Sequence, residues 1–456
     1  MTTPPSWPTQ TYSPPPQHSW RNVSVINQSS LPNRPTFWGI GPARARHADV
    51  TRAYICGMTS VNSDIASAYL HESDCRLDDF IAIVEQTTDI ADYPFAEAII
   101  QNVVSYDCDR LRTECADPDT RRTVQSELNK AFLHGPGIVV FKRAFADTAV
   151  VDAVTNAFNA LIAEQHALGM NAGDHYAKPG DNDRVWNALE KLSVMAPDEF
   201  VGYYSNDILS MASAAWLGPG FTFTSQVNVV NPGGAAQKPH RDYHLGFMTI
   251  DEAAEFPTHV HHLSAALTLQ GAIAHCDMPV ESGPTMYLPH AQKYLYGYLA
   301  WWRPVFREYF EQNYVQMPLE KGDAVFFNPA LFHAAGTNRT TDVHRMANLL
   351  QINSPLGKCL ETIDHERMCN SVFPSLLKFK ASGARARDVE NAIGACANGY
   401  AFPTNLDRDR PLQGLTNDAQ VDVVRRAVAE EWTSEKLSAE LREYAYRRLT
   451  HGELSS

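Results

Sequence analysis

The run FTFTSQVNVVNPGGAAQKPHRDYH, residues 221–244, decides how the fold is read. Its first ten residues alternate between two kinds of side chain, the period-two pattern of a strand with two different faces. Pro232, Gly233 and Gly234 then break that strand. The segment KPHRDYH (238–244) follows, with His240 and Asp242 two positions apart. In extended backbone, residues i and i+2 project to the same side, so an imidazole and a carboxylate converge on one spot.

Outward from this run the texture stays strand-like. HLSAALTLQGAI (262–273), GPTMYLP (283–289), DAVFFNP (323–329) and RMANLLQIN (345–353) read as short strands separated by turn residues. Upstream, GPGIVVFKRAF (135–145) supplies another strand. Asp147 then caps a helix whose apolar face is Val150, Val151, Val154, Phe158 and Leu161. The stretch 37–130 reads as a mostly helical extension, from DDFIAIVEQ (78–86) and from FAEAIIQNVVSYDCDRL (95–111), where Phe95, Ala98, Ile99 and Val103 recur at helical steps. Residues 359–456 form a second helical extension. Within it, 420–449 reads as one long amphipathic stretch that packs on the core or covers a homodimer partner. Residues 1–36, rich in Pro, Ser and Thr, read as a tail. The expected fold is a mainly β core, a double-stranded β-helix (jelly roll, cupin-like) over 131–358, flanked by α-helices on both sides.

The chemistry needs a third ligand from a distant strand, and His333 follows DAVFFNPALF directly. Two histidines and one carboxylate on one face of a metal form the facial triad of non-haem Fe(II) oxygenases. Three protein ligands leave room for a bidentate 2-oxo acid and O2, whereas a structural zinc site is closed by four. With 17 histidines in the chain, an H-x-D pair alone is weak evidence. Arg345 strengthens it. It opens RMANLLQIN and shares a face with Ala347, Leu349 and Gln351. There its guanidinium can clamp the far carboxylate of 2-oxoglutarate, or else pair with a local acid such as Asp342.

Taken in order, GPGIVVFKRAF, QVNVVNPGG with PHRD, ESGPTMYLPHAQKY (281–294), KGDAVFFNPALFHAAGTNRT (321–340) and HRMANLLQIN resemble the phytanoyl-CoA dioxygenase family over about residues 130–355. The resemblance implies a double-stranded β-helix, Fe(II), 2-oxoglutarate and O2. By position it implies His240, Asp242 and His333 as metal ligands and Arg345 as the co-substrate arginine. Three departures stand out. Arg241 fills the middle of H-x-D, Ala335 stands where many members carry a hydroxyl, and 249–262 is long. Thr337 or Thr340 is the candidate to replace the missing hydroxyl. Related halogenases replace the carboxylate, so Asp242 disfavours halogenation.

Gln226 and Asn228 share one face of the strand before H-x-D and are candidates to contact 2-oxoglutarate or substrate, or to bond backbone. Thr268 and Gln270 alternate in the same way on a later strand. His244, His259, His261 and His262 lie near the site in sequence and read as loop residues, or as a lid. Trp186 and Asn187 precede the barrel and would cover its mouth or pack in a helix.

A net charge of −14 argues against a nucleic-acid partner, and no clustered Lys/Arg patch offers to bind the phosphates of CoA. No apolar run approaches the roughly 20 residues of a membrane span. Eight scattered cysteines without a C-x-x-C pair read as reduced thiols in the cytosol. The expected function is Fe(II)/2-oxoglutarate-dependent oxidation of a C–H bond (hydroxylation, desaturation or cyclisation) of a small metabolite or natural-product intermediate, releasing succinate and CO2. The alternatives are a cupin-like metal protein with non-redox chemistry and a catalytically silent scaffold.

Overall fold

Valine, threonine and phenylalanine alternate where one strand face must meet helices and the other a cavity. In the computed structural model, which describes residues 68–169, 178, 180–411 and 414–450, they form strands accordingly. The expected tail at 1–36 and the start of the N-terminal extension lie outside the described residues. In chain order the strands are β1 (Ala98–Ile100), β2 (Val103–Asp107), β3 (Ile138–Lys142), β4 (Asn182–Val185), β5 (Thr222–Val230), β6 (Thr268–Ala274), β7 (Met286–Leu288), β8 (Val315–Gln316), β9 (Ala324–Phe327), β10 (Phe332–Ala334) and β11 (Arg345–Asn353). Eight of them build one sheet in the order β1-β2-β3-β9-β6-β11-β5-β4, and three build a second in the order β10-β7-β8.

The large sheet has two apolar faces. Phe223, Val227 and Val229 of β5, Leu269 and Ile273 of β6, and Met346, Leu350 and Ile352 of β11 pack outward under the helices. Ala272, Ala274, Val325 and Phe327 join Met286, Tyr287 and Leu288 of the small sheet in a second core between the sheets. Burial on both faces explains why β5 is buried at every position.

Four expectations need correction. Residues 95–111 are not one helix, because β1 and β2 form a hairpin through Gln101 and Asn102, both at positive φ (51° and 67°). Such a two-residue turn matches the twist of the flanking strands. The buried β-branched pair Val103–Val104 then leads β2 alongside β3 in parallel. Helix resumes at Cys108–Glu114, capped by Asp107. Secondly, the chain is not mainly β, since helices from Leu77–Val84 to Ser434–Arg448 surround the sheets. Thirdly, residues 262–266 belong to the helix Thr258–Ala266, and β6 starts only at Thr268. Lastly, the stretch 420–449 is two helices, Gln420–Ala429 and Ser434–Arg448, broken where Glu431 takes φ 52° and Thr433 caps the second. Their apolar residues, Val421, Val424, Val428, Leu437 and Leu441, are buried in the same core as Met368, Val372 and Phe373 of the helix His365–Ala381. No helix among the described residues is long and apolar enough to cross a membrane.

One buried polar network ties the large sheet to its helices. The Thr155 hydroxyl donates to the Val151 carbonyl, so His275 donates from Nδ1 to Thr155 Oγ1 (2.8 Å) and accepts at Nε2 from the Tyr203 hydroxyl (2.9 Å). Burial keeps this imidazole neutral, with its pKa pushed down to about 3. An unfolded chain protonates the ring near the ordinary value of about 6.5. Between those pH values the unfolded state binds one more proton than the native state. The His275 contribution is therefore complete above about pH 6.5 and is lost as pH falls toward 3, by up to about 1.4 kcal/mol per pH unit. Urea unfolding at pH 7 and pH 5 should show a smaller pH penalty for His275→Gln than for wild type. Equal penalties would assign the titration to other groups.

Candidate active site

The metal-ligand candidates are assembled by backbone pairing. After β5 the chain turns at Gly233 (φ 83°) and runs beside the segment that follows β10. Gly233 N–H donates to Asn338 O (2.9 Å), Gln237 N–H to Ala335 O (2.9 Å) and His240 N–H to His333 O (3.0 Å). His333 N–H returns a bond to His240 O at 3.1 Å. The first and third ligands are thus an antiparallel pair, and their register does not depend on side chains. Asp242 N–H is held by Pro329 O at 3.0 Å.

Each imidazole is oriented from behind. His240 Nδ1 lies 2.8 Å from Lys238 O, and His333 Nδ1 lies 2.9 Å from Leu331 O. Donation to those carbonyls puts the proton on Nδ1 and leaves Nε2 as the ligand atom. Asp242 Oδ2 is 3.4 Å from His333 Nε2 and 3.8 Å from His240 Nε2. The three ligand atoms lie within 4.8 Å of one another. Burial pushes the His240 imidazole below its ordinary pKa and keeps it neutral. Burial also raises the Asp242 carboxyl, but the two histidines and Gln270 outweigh that and hold it below the usual carboxylate range. Asp242 Oδ1 is buried and has no hydrogen-bond partner. Two imidazoles that present Nε2, a carboxylate and its orphaned oxygen fit a divalent cation of the Fe(II) type.

Arg241 points the opposite way, as alternation requires. It is among the largest fully buried side chains, lying between the rings of Tyr298 (5.1 Å) and Phe332 (5.2 Å). Its Nη2 donates to Ala291 O (2.5 Å) and Tyr294 O (3.0 Å). Gly297 makes room for it, since a Cβ there would lie 1.8 Å from the Arg241 guanidinium carbon. Arg241 therefore braces the His240–Asp242 segment against Phe332, the neighbour of the third ligand.

A cavity of about 490 Å³ opens between the sheets in front of the triad. Arg345, Asn228 and Gln226 all line it, as do Ala347, Leu349 and Gln351 from the same face of β11. Arg345 is buried, and its Nη1 donates to the Gly283 carbonyl. Asp342 is exposed, and no acid forms an ion pair with Arg345 among the described residues. Burial pulls the guanidinium down to about 10. Asn228 Oδ1 accepts from Asn182 Nδ2 (3.0 Å).

Thr337 does not join them. Its hydroxyl accepts the Ala236 N–H (3.0 Å) and serves the paired loop rather than the cavity. Thr340 is likewise used in a turn with Asn338 and Val343. Thr285, next to Tyr287 on the cavity wall, supplies a hydroxyl that the sequence did not single out. Trp186 does reach the rim, with Arg184 stacked on it at 5.1 Å, beside Phe247 and Leu360. Asn187 fastens that rim through its N–H to Glu361 Oε1 (2.8 Å). Gln270 lines the cavity, whereas Thr268 does not. None of His244, His259, His261 and His262 lines it either, and His261 is spent on Ala253 O.

The phytanoyl-CoA dioxygenase (PhyH) family model matches residues 133–347. No curated protein matches the chain. Among solved structures, the non-heme alpha ketoglutarate dependent epimerase SnoN from nogalamycin biosynthesis is 17% identical, covering 52% of this chain and 84% of its own, with a TM-score of 0.34. The carbocyclase SnoK from the same biosynthesis is 20% identical over 52% of this chain and 86% of its own, at TM-score 0.36. AviO1 from Streptomyces viridochromogenes Tue57 is 16% identical over 52% and 97%, at 0.37. The backbone-paired histidines, the ionised aspartate and the family match fall on one segment: residues 133–347 are a domain of the phytanoyl-CoA dioxygenase family of iron- and 2-oxoglutarate-dependent oxygenases.

Proposed function

We propose that this protein is an Fe(II)/2-oxoglutarate-dependent dioxygenase that oxidises a C–H bond of a small metabolite or natural-product intermediate, with release of succinate and CO2. The observation that carries this reading is one cavity lined by both a three-ligand cluster and a buried arginine that has no acidic partner among the described residues. A cupin-like binding protein or a silent scaffold has no use for that arginine.

His240, Asp242 and His333 would hold the iron, and Arg345 would pair with the far carboxylate of 2-oxoglutarate. When bound, the iron and its co-substrate supply the oxidising chemistry, using O2. The chain positions and shields. Lys238 O and Leu331 O lock the two rings, and Gln270 Nε2 fixes Asp242 Oδ2 at 2.8 Å. Asn228, opposite Ala347 in register and lining the same cavity as Arg345, would orient 2-oxoglutarate. Met278, Met317, Leu319, Val325 and Phe327 give the cavity apolar walls that exclude water from the reacting carbon. Because Asp242 is present, no ligand position is vacated for halide, and oxygenation, desaturation or ring closure are the outcomes to expect.

The test is the visible spectrum of metal-free protein given Fe(II) and then 2-oxoglutarate without oxygen. A weak charge-transfer band that grows to one equivalent of each is expected. Properly metallated protein without that band would return the cupin-like and scaffold readings to the front.

A further inference from the structure

Three buried glutamines line the cavity beside the triad: Gln226, Gln270 and Gln351, at 3%, 6% and 5% exposure. Gln351 and Gln270 are register partners on adjacent strands β11 and β6, and Gln226 comes from β5 on the other side of β11. Their amide orientations follow from their neighbours. Gln270 donates its NH2 to Asp242 Oδ2 (2.8 Å). That leaves Gln270 Oε1 buried and without a partner. Gln351 Nε2 donates to Gln226 Oε1 (3.4 Å), which leaves Gln351 Oε1 in the same condition, with Gln226 Nε2 the one amide donor of the three left without a partner. Two amide carbonyls therefore line one cavity and accept nothing from the protein. Buried polar groups are rarely left this way without a ligand or water to complete them.

2-Oxoglutarate does not complete this pair. Gln351 lies six strand residues from Arg345, about 20 Å at roughly 3.3 Å per residue. A diacid anchored at Arg345 brings acceptors to these carbonyls, not donors.

Resting on the dioxygenase reading above, we infer that Gln270 Oε1 and Gln351 Oε1 form the recognition site for the second substrate, and that this substrate is a hydroxyl- or N–H-bearing small molecule that donates to both. A plain acyl chain would bury both acceptors unsatisfied and is selected against. Gln270 thereby links recognition to the metal, since its other end holds the metal-binding carboxylate.

The test uses wild-type protein loaded with Fe(II) and 2-oxoglutarate, after its charge-transfer band has been recorded. The probes are cyclic polyols, lactams and phenols, each beside its O- or N-methylated counterpart of nearly the same shape. Donor-bearing probes are expected to shift the band and raise O2-dependent succinate release, and their methylated counterparts to do neither. Gln351→Leu should weaken that response about tenfold or more, with the substrate-free band unchanged. Gln351→Met, closer to glutamine in shape, should weaken it likewise if the leucine variant folds poorly. Equal responses to both probe sets, no response to either, or an unaltered response in Gln351→Leu would overturn the inference while the band still stands. Loss of the band itself in wild type would instead remove the dioxygenase reading.

Discussion

His333→Ala is expected to abolish iron binding and turnover while leaving the fold in place. The backbone of residue 333 pairs with His240 through both its N–H and its carbonyl, and alanine keeps both bonds. What is lost is one of three ligand atoms, held at 3.4 Å from Asp242 Oδ2, together with the bond from Nδ1 to Leu331 O. Removing groups that merely orient a ligand costs about 10–100-fold in metal affinity, so removing the ligand should exceed that range. The stability cost is smaller, about 1–3 kcal/mol for an imidazole lost from a buried site. Titration with Co(II), read by its visible bands, should show saturable binding in wild type and none at micromolar metal in the variant. Far-ultraviolet circular dichroism should match between the two. Retained tight binding in His333→Ala would remove this residue from the ligand set.

Much of this site was legible in the chain because alternation is a geometric rule. Residues 222–230 and 345–353 sort their side chains by parity, so Gln226 and Asn228, and Arg345 with Ala347, Leu349 and Gln351, come to one cavity as the sequence implies. H-x-D follows the same rule, and so does the opposite aim of Arg241. Three things were not legible. Apolar spacing at Phe95, Ala98, Ile99 and Val103 satisfies a helix, yet the two-residue turn at Gln101–Asn102 resets the phase and yields a hairpin. Thr337 was misplaced because the aim of a loop hydroxyl is fixed by the cross-chain bond to Ala236, which no local pattern encodes. The pairing of Gln351 with Gln270 is invisible until β6 and β11 are laid side by side, since 80 intervening positions separate the two glutamines in the sequence. Local period gives faces; partners across a sheet come only from topology.

Arg345→Met should move ligand affinity and stability in opposite senses, which distinguishes a co-substrate anchor from a structural arginine. In the protein as it stands, Arg345 is buried at 6% exposure, bonded to the Gly283 carbonyl, with its pKa drawn down to about 10 by desolvation. A buried cation without a counter-charge is costly, and replacing it by an apolar side chain of similar length is often neutral or stabilising. The ligand-free variant should therefore unfold at the same temperature as wild type or higher. 2-Oxoglutarate supplies the missing charge. A charge-assisted bond is worth about 1.5–3 kcal/mol, so the concentration that half-fills the anaerobic Fe(II) charge-transfer band should rise about 10–150-fold. Iron affinity measured without 2-oxoglutarate should hardly change, because Arg345 is not one of the three ligands and its guanidinium is bonded to the Gly283 carbonyl. A lower melting temperature with unchanged 2-oxoglutarate affinity would make Arg345 a structural brace between β11 and the Gly283 turn and move the carboxylate site elsewhere in the cavity.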